Sequence, residues 1–196
     1  MQAVVAELLP LVPLQRREKA LRYKHLHGQY CCLRAWKMLH ELLIEHAYLP
    51  APFPLADLTY TENEYGKPSL NVQISNLKSQ ISNIEFSLSH TKCAIAVAID
   101  RQPVGIDVEA VVSPQRIADR HFLEHTMNAA ERQMIAEAAD PCLMFTELWT
   151  RKEALVKARG TGLDLATLPD MLASQLSACH LSTIHTSAYA CSIARM

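Results

Sequence analysis

Ile84-Glu85-Phe86-Ser87-Leu88-Ser89-His90-Thr91-Lys92-Cys93-Ala94-Ile95-Ala96-Val97-Ala98-Ile99-Asp100-Arg101-Gln102-Pro103-Val104-Gly105-Ile106-Asp107-Val108-Glu109 reads as three consecutive β-strands. The expected strands are Ile84 to Leu88, Cys93 to Asp100 and Val104 to Glu109, the last two separated by the turn signal Asp100-Arg101-Gln102-Pro103. On both sides the chain is helical. From Gln15 to Ala47, Leu21, Leu26, Leu33, Trp36, Leu39 and Leu43 recur close to the three-and-four spacing of a buried stripe, with Gly28 expected to break the run into two helices. Helices resume at Ser113 with Pro114 behind it, at Asn128, and at Asp140, the last running to Arg159 where Gly160 stops it. Between Pro50 and Asn83, with Pro52, Pro54 and Pro68, loops around short strands are expected. Cys179 to Ala194 alternates like two further strands. Helices followed by strands, twice over, predict an α+β protein of two related halves, residues 1–101 and 102–196.

Composition narrows the function. The 196 residues are 49% hydrophobic and 20% charged, enough for a substantial core without metal or disulfide staples. The five glycines, Gly28, Gly66, Gly105, Gly160 and Gly162, cannot write a GxGxxG turn or a GxxxxGK[ST] loop, so a phosphate site must be built differently. Lys and Arg total 19 against 20 Asp and Glu, and the resulting net charge of −1 provides no basic field for nucleic acid. The six cysteines form no CxxC and read as reduced thiols of a cytoplasmic protein. No run approaches the roughly 20 apolar residues of a membrane span, and no secretory leader is seen. Locally, residues 15 to 37 are strongly positive, with Arg16, Arg17, Lys19, Arg22, Lys24, Arg34 and Lys37 against Glu18. Such a face either is simply solvated or binds an anion.

Three constellations bear chemistry. On a strand, Asp107 and Glu109 project from one face while Ile106 and Val108 enter the core. Paired carboxylates repel unless a cation sits between them, and hard oxygen pairs suit Mg²⁺ completed by water and phosphate; the alternative is an ordinary half-exposed strand end. On a helix, Trp149, Glu153 and Lys157 share one face. Glu153 then reads as a metal ligand or general base and Lys157 as a phosphate contact, or the two as an exposed ion pair. After Phe86-Ser87-Leu88, a strand ends in Ser89, His90 and Thr91, donors for a phosphate or turn residues serving local backbone groups. A rival signal, His121-Phe122-Leu123-Glu124-His125, matches the HxxEH pattern of zinc peptidases; the plain alternative is an amphipathic helix with Phe122 inward. His25 and His27 lack cysteine or carboxylate companions and read as structural or phosphate-facing.

Taken in order, Tyr65-Gly66-Lys67-Pro68, Phe86-Ser87-Leu88-Ser89-His90, Val104-Gly105-Ile106-Asp107-Val108-Glu109 and Trp149-Thr150-Arg151-Lys152-Glu153-Ala154 with Lys157 resemble the 4'-phosphopantetheinyl transferases, in the monomeric two-half form that activates peptide and polyketide synthetases. The resemblance implies two halves related by a pseudo-twofold axis, and transfer of the phosphopantetheine arm of coenzyme A to a serine of an apo carrier protein of fatty-acid, polyketide or peptide synthesis, releasing 3',5'-ADP. It implies Mg²⁺ on Asp107, Glu109 and Glu153, with Glu153 also deprotonating the serine and Lys157 screening the leaving group. Coenzyme A contacts are implied at Lys67, Ser89 and His90, and at the basic amino-terminal residues Arg17, Lys24 and Arg34. A monomer acting on an acyl or peptidyl carrier is expected, with Phe122 to Met127 as a surface for that carrier. The polar stretch between Pro68 and Phe86 is longer than the family's usual interval. A non-catalytic regulator that binds coenzyme A or a carrier protein is the alternative.

Overall fold

The computed structural model describes residues 1–71, 81, 83–172 and 179–196. Three helices open the chain, α1 (Gln2–Leu8), α2 (Leu14–Leu21) and α3 (Leu26–Glu45). A short hairpin, β1 (Tyr60–Glu62) with β2 (Pro68–Leu70), precedes the antiparallel pair β3 (Glu85–His90) and β4 (Ile95–Asp100). Strand β5 (Val104–Ala110) follows, then α4 (Pro114–Ala118), α5 (Arg120–Thr126), α6 (Ala129–Glu137) and α7 (Pro141–Arg159). The chain ends in β6 (His180–His185) and β7 (Tyr189–Arg195), which join β5 in an antiparallel sheet of order β5-β7-β6. The architecture is the mixed α+β class expected.

Local chemistry explains the helix ends. Asn128 and Glu131 form a reciprocal capping box at the start of α6, and the Asp119 and Asp140 side chains accept the backbone N–H groups of Phe122 and Leu143. Gly160 closes α7 with a left-handed φ of 68°. The helix break near residue 28 lies elsewhere than expected: α2 ends at Leu21 and Gly28 sits inside the first turn of α3. Gly28 leaves room for the ring of Tyr23, which folds back across that turn; a β-carbon at Gly28 would lie 2.6 Å from Tyr23 Cδ1. The glycine thus accommodates an aromatic ring, and the chain turns at Arg22–His25 ahead of it. Helix α1, which buries Val5 and Leu8, has no counterpart among the elements expected from the sequence. Most of the polar stretch between Pro68 and Phe86, residues 72–80 and 82, lies outside the described residues.

Two apolar clusters form the core. One gathers Leu8, Leu33, Trp36, Leu39, Leu43, Tyr60 and Phe86 from the amino-terminal part, and the other Met127, Phe145, Leu148, Leu155 and Leu168 from the carboxy-terminal part. Ala96 and Ala98 of β4 meet Val104, Ile106 and Cys191 in a third, smaller cluster between them. Strands β3 and β5 lie side by side without a backbone ladder. Instead, Ser87 Oγ, Ser89 Oγ and Thr91 Oγ1 accept the backbone N–H groups of Ile106, Val108 and Ala110 at 3.0, 3.2 and 3.3 Å. Because hydroxyls and N–H groups both recur every second residue, the register of β3 is locked to that of β5.

Helix α7 packs across β5 and β7 at very close range. Gly105 permits this, since a β-carbon there would lie 2.0 Å from the Ala154 carbonyl oxygen and 2.4 Å from the Ala158 nitrogen. On the far side of α7, Lys152 is wholly buried, its ammonium 2.6 Å from Glu131 Oε2, 2.8 Å from the Thr126 carbonyl and 2.9 Å from that of Pro169. Paired and surrounded by acceptors, it ties α7 to the end of α5 and the start of α6. Gly105→Ala should push α7 off β5; overpacking of this kind costs about 3 kcal/mol, and a melting temperature lower by roughly 5–10 °C is expected by calorimetry. A melting point within about 1 °C of the parent would contradict the contact.

Candidate active site between β5, α7 and the amino-terminal helices

The close approach of α7 to β5 covers the strand face that carries Gly105, Asp107 and Glu109, so the carboxylates face a helix. Asp107 is only 3% exposed. Its Oδ1 accepts from Lys157 Nζ at 2.7 Å and from Ser89 Oγ at 2.9 Å. Its Oδ2 is buried and, among the described residues, accepts nothing. A buried carboxylate oxygen without a donor is costly, and the chemistry that would relieve it is a cation.

The neighbouring acids feel the same charge. Burial pushes the Glu109 carboxyl above its usual range, and Asp107 and Glu153 push it further, with Lys157 opposing. Glu153 is also raised, first by burial and then by Asp107, again against Lys157. Three carboxylates therefore share one ammonium, an arrangement with room for further positive charge. Among the described residues, no three His, Cys, Asp or Glu side chains are already gathered at a metal-binding spacing.

Beside this acidic corner opens a cavity of about 310 Å³ between the amino-terminal helices, the β1–β2 hairpin, β3 and the end of α7. Apolar walls come from Trp36, Tyr60 and Phe86, and positive groups from Arg16, Lys19, Lys67 and Lys157. Arg16 is 5% exposed and has no acidic partner among the described residues. Its guanidinium lies 5.1 Å from the centre of the Trp36 ring and donates to the Cys32 carbonyl from Nε and Nη2 at 3.2 and 2.7 Å. His90 lines the same space, its Nε2 3.3 Å from the Tyr23 hydroxyl. Burial, then Arg16 and Lys157, hold the imidazole below its ordinary range and hence neutral at pH 7. A buried arginine with no acidic partner among the described residues, beside a histidine kept neutral by burial and by nearby cations, is an electrostatic environment in want of an anion.

The residues singled out in the sequence divide accordingly. Asp107, Glu109, Glu153 and Lys157 come together, and Lys67, His90 and Lys157 line the cavity. Ser89 is buried behind it, donating to Asp107 while accepting from Val108, so it orients the carboxylate. The Lys67 ammonium bonds the Ala158 carbonyl and Glu85. Arg17 spends its guanidinium on the carbonyls of Leu9 and Pro10, clamping α2 to the end of α1. Lys24 is exposed and Arg34 half-buried, neither in the cavity lining. Arg16 and Tyr23 were missed. The signal for Arg16 was its phase, since Val12, Arg16 and Ala20 fall on one buried stripe at four-residue spacing.

The zinc-peptidase pattern acquires no support. His121 and His125 stack on each other at 4.0 Å, and Glu124 is held by Arg120 on the exposed face of α5. Phe122 packs inward against Phe145 and Trp149, as the amphipathic reading expects.

Comparison with known proteins bears directly on this geometry. Residues 103–194 match the model of the 4'-phosphopantetheinyl transferase superfamily. A Bacillus subtilis protein named 4'-phosphopantetheinyl transferase ffp is 27% identical over 159 residues, covering 81% of this chain and 64% of the relative. The Saccharomyces cerevisiae L-aminoadipate-semialdehyde dehydrogenase-phosphopantetheinyl transferase is 28% identical over 162 residues, 80% of this chain and 56% of the relative. The 4'-phosphopantetheinyl transferase AcpT of Salmonella typhi is 33% identical over 141 residues, 67% of this chain and 65% of the relative. The chain thus spans under two thirds of the length of each of these relatives. The matched segment contains β5, α7 and the sheet beneath them, the elements that hold Asp107, Glu109, Glu153 and Lys157 together, so the likeness to the 4'-phosphopantetheinyl transferase superfamily falls on the candidate site itself.

Proposed function

We propose that this chain moves the 4'-phosphopantetheine arm of coenzyme A onto a serine hydroxyl of an apo acyl or peptidyl carrier protein, with Mg²⁺, as a monomer of two similar halves in the cytoplasm. The observation that carries the reading is the partnerless Oδ2 of Asp107, set among Glu109, Glu153 and Lys157 at the edge of a cationic cavity. The ligand such a place suits has a diphosphate at the carboxylate end and a further anionic group toward Arg16 and His90; coenzyme A has both. The free thiols of Cys31, Cys32, Cys93, Cys142 and Cys191 suit a reducing compartment, and no described helix is long and apolar enough to cross a membrane.

In this reaction the serine oxygen forms a new bond to the phosphorus that bears pantetheine, the diphosphate P–O bond breaks, and 3',5'-ADP leaves. Glu153, whose raised affinity for protons makes it a better base than an exposed glutamate, takes the serine proton directly or through water. Lys157 is placed to turn from Asp107 toward the diphosphate and to offset charge on the departing phosphate. Asp107, Glu109 and Glu153 would hold the magnesium ion, which when bound supplies charge neutralisation at the diphosphate. Ser89 keeps the Asp107 carboxylate fixed. Arg16 and His90 are proposed to hold the anionic far end of coenzyme A, with the flat wall of Trp36, Tyr60 and Phe86 excluding water between.

The test is to incubate the protein with coenzyme A, Mg²⁺ and several apo carrier proteins and weigh the carriers. A mass gain of one phosphopantetheine group on a serine is expected. Coenzyme A binding with no gain on any carrier would instead indicate a regulator. His90 supplies a pH signature. Its imidazole is held neutral in the free protein, and a phosphate beside it would favour the charged form, so binding takes up a proton. Affinity for coenzyme A should therefore fall as pH rises from about 6 to 8, by at most about tenfold per pH unit for one proton, and His90→Gln should flatten that slope. Calorimetry in buffers of different ionisation heat reads the proton directly; equal uptake in His90→Gln and the parent would remove His90 from the site.

A further inference from the structure

The Gly-Lys-Pro turn does something other than present a lysine to solvent. Its backbone is shaped by Asn63, whose Oδ1 accepts the N–H groups of Tyr65 and Lys67 at 3.0 and 2.8 Å, and by Gly66 with φ of 82°. From that turn two side chains reach the last turn of α7. Asn63 Nδ2 donates to the Gly160 carbonyl at 2.9 Å, and Lys67 Nζ donates to the Ala158 carbonyl at 2.6 Å. These are carbonyls that a helix C-terminus leaves without internal partners. Lys67 Nζ also pairs with Glu85 Oε2 at 2.9 Å, and the Lys67 side chain is 14% exposed. Its methylenes lie against Gly160, where a β-carbon would come within 2.4 Å of Lys67 Cδ. An ammonium at the negative end of a helix dipole adds to the hydrogen bonds.

We infer that Lys67, with Asn63, is a positioning residue that caps the end of α7 from the neighbouring hairpin and thereby sets where Lys157 stands, and that its ammonium is not a phosphate ligand. Lys157 directly precedes Ala158, so the residue that meets Asp107 at 2.7 Å belongs to the turn being capped. The contact also crosses the molecule, since β1 and β2 belong to the amino-terminal part and α7 packs on β5. Glu85 keeps the lysine turned toward the helix and balances its charge, which leaves Arg16 and His90 to meet the ligand's anions.

This inference rests on the transferase reading for its kinetic part, and a second readout is independent of it. Lys67→Met, Lys67→Arg and Asn63→Ala are compared with the parent by steady-state transfer with coenzyme A varied, and by amide hydrogen exchange of the ligand-free proteins. Lys67→Met and Asn63→Ala should each lower kcat about tenfold while the KM for coenzyme A changes less than about twofold, and Lys67→Arg should recover most of the loss. In the same two variants the amides of residues 157–160 should exchange at least about tenfold faster. A KM that rises about tenfold in Lys67→Met at unchanged kcat would make the ammonium a ligand and overturn the inference, as would unaltered exchange at 157–160 whatever the kinetics. If the parent transfers nothing to any carrier the transferase reading fails, while the exchange comparison still decides whether the turn caps α7.

Discussion

Asp107 carries a carboxylate into a place almost closed to water, and its surroundings compensate that charge only in part. One oxygen is held by Lys157 and Ser89, and the other has no donor. A lone buried carboxylate would cost several kcal/mol. The two donors that offset this cost come from two other places in the chain, the Ser89 hydroxyl on β3 and the Lys157 ammonium near the end of α7. Each needs its element to be in register with β5. The serine and threonine hydroxyls of β3 fix that strand against β5, and Gly105 lets α7 lie directly on β5. Asn63 and Lys67 hold the far end of α7. The fold can be understood as the set of contacts that keeps one incompletely neutralised acid in place.

Around that acid the charge is sorted. Negative groups gather on β5 and α7, where Glu109 and Glu153 are both raised by burial and by Asp107. Positive groups gather across the cavity, on α2 and beyond it, with Arg16 buried against Trp36 and paired to no acid among the described residues. Fixed charges of opposite sign on opposite walls impose one orientation on a ligand that carries charge at both ends. Lys157 stands at the boundary, touching Asp107 and lining the cavity, as the proposed function requires of a side chain that serves first the resting protein and then the leaving group.

Much of this was legible before any coordinate. Alternation located β3, β4 and β5, and the Asp140-Pro141 start with the Gly160 stop bounded α7 to the residue. Spacing put Asp107 with Glu109 on one strand face and Glu153 with Lys157 on one helix face; that the two faces meet was implied by the family resemblance alone, and it depends on Gly105. What was hidden depended on contacts between residues far apart in the chain. Gly28 read as a helix breaker because its neighbour Tyr23 was not known to need the space. Among seven basic residues between 15 and 37, charge alone could not tell which pointed inward, and the buried phase of α2 selects Arg16 while turning Arg17 onto the carbonyls that end α1. Ser89 read as a ligand for a phosphate because a hydroxyl at a strand end has two uses, and only the position of Asp107 decides between them. Lys152, beside Glu153 in sequence, points the opposite way into the core.

The central claim is that the free oxygen of Asp107 is a seat for a divalent cation that arrives with a diphosphate. Titration calorimetry of coenzyme A into the protein, with Mg²⁺ and with the metal chelated away, measures this without relying on turnover. The account predicts that Mg²⁺ strengthens binding of coenzyme A at least about tenfold in the parent, or roughly 1.4 kcal/mol, and that Asp107→Asn removes the difference while remaining folded. An equal magnesium effect in Asp107→Asn, or none in the parent, would contradict it.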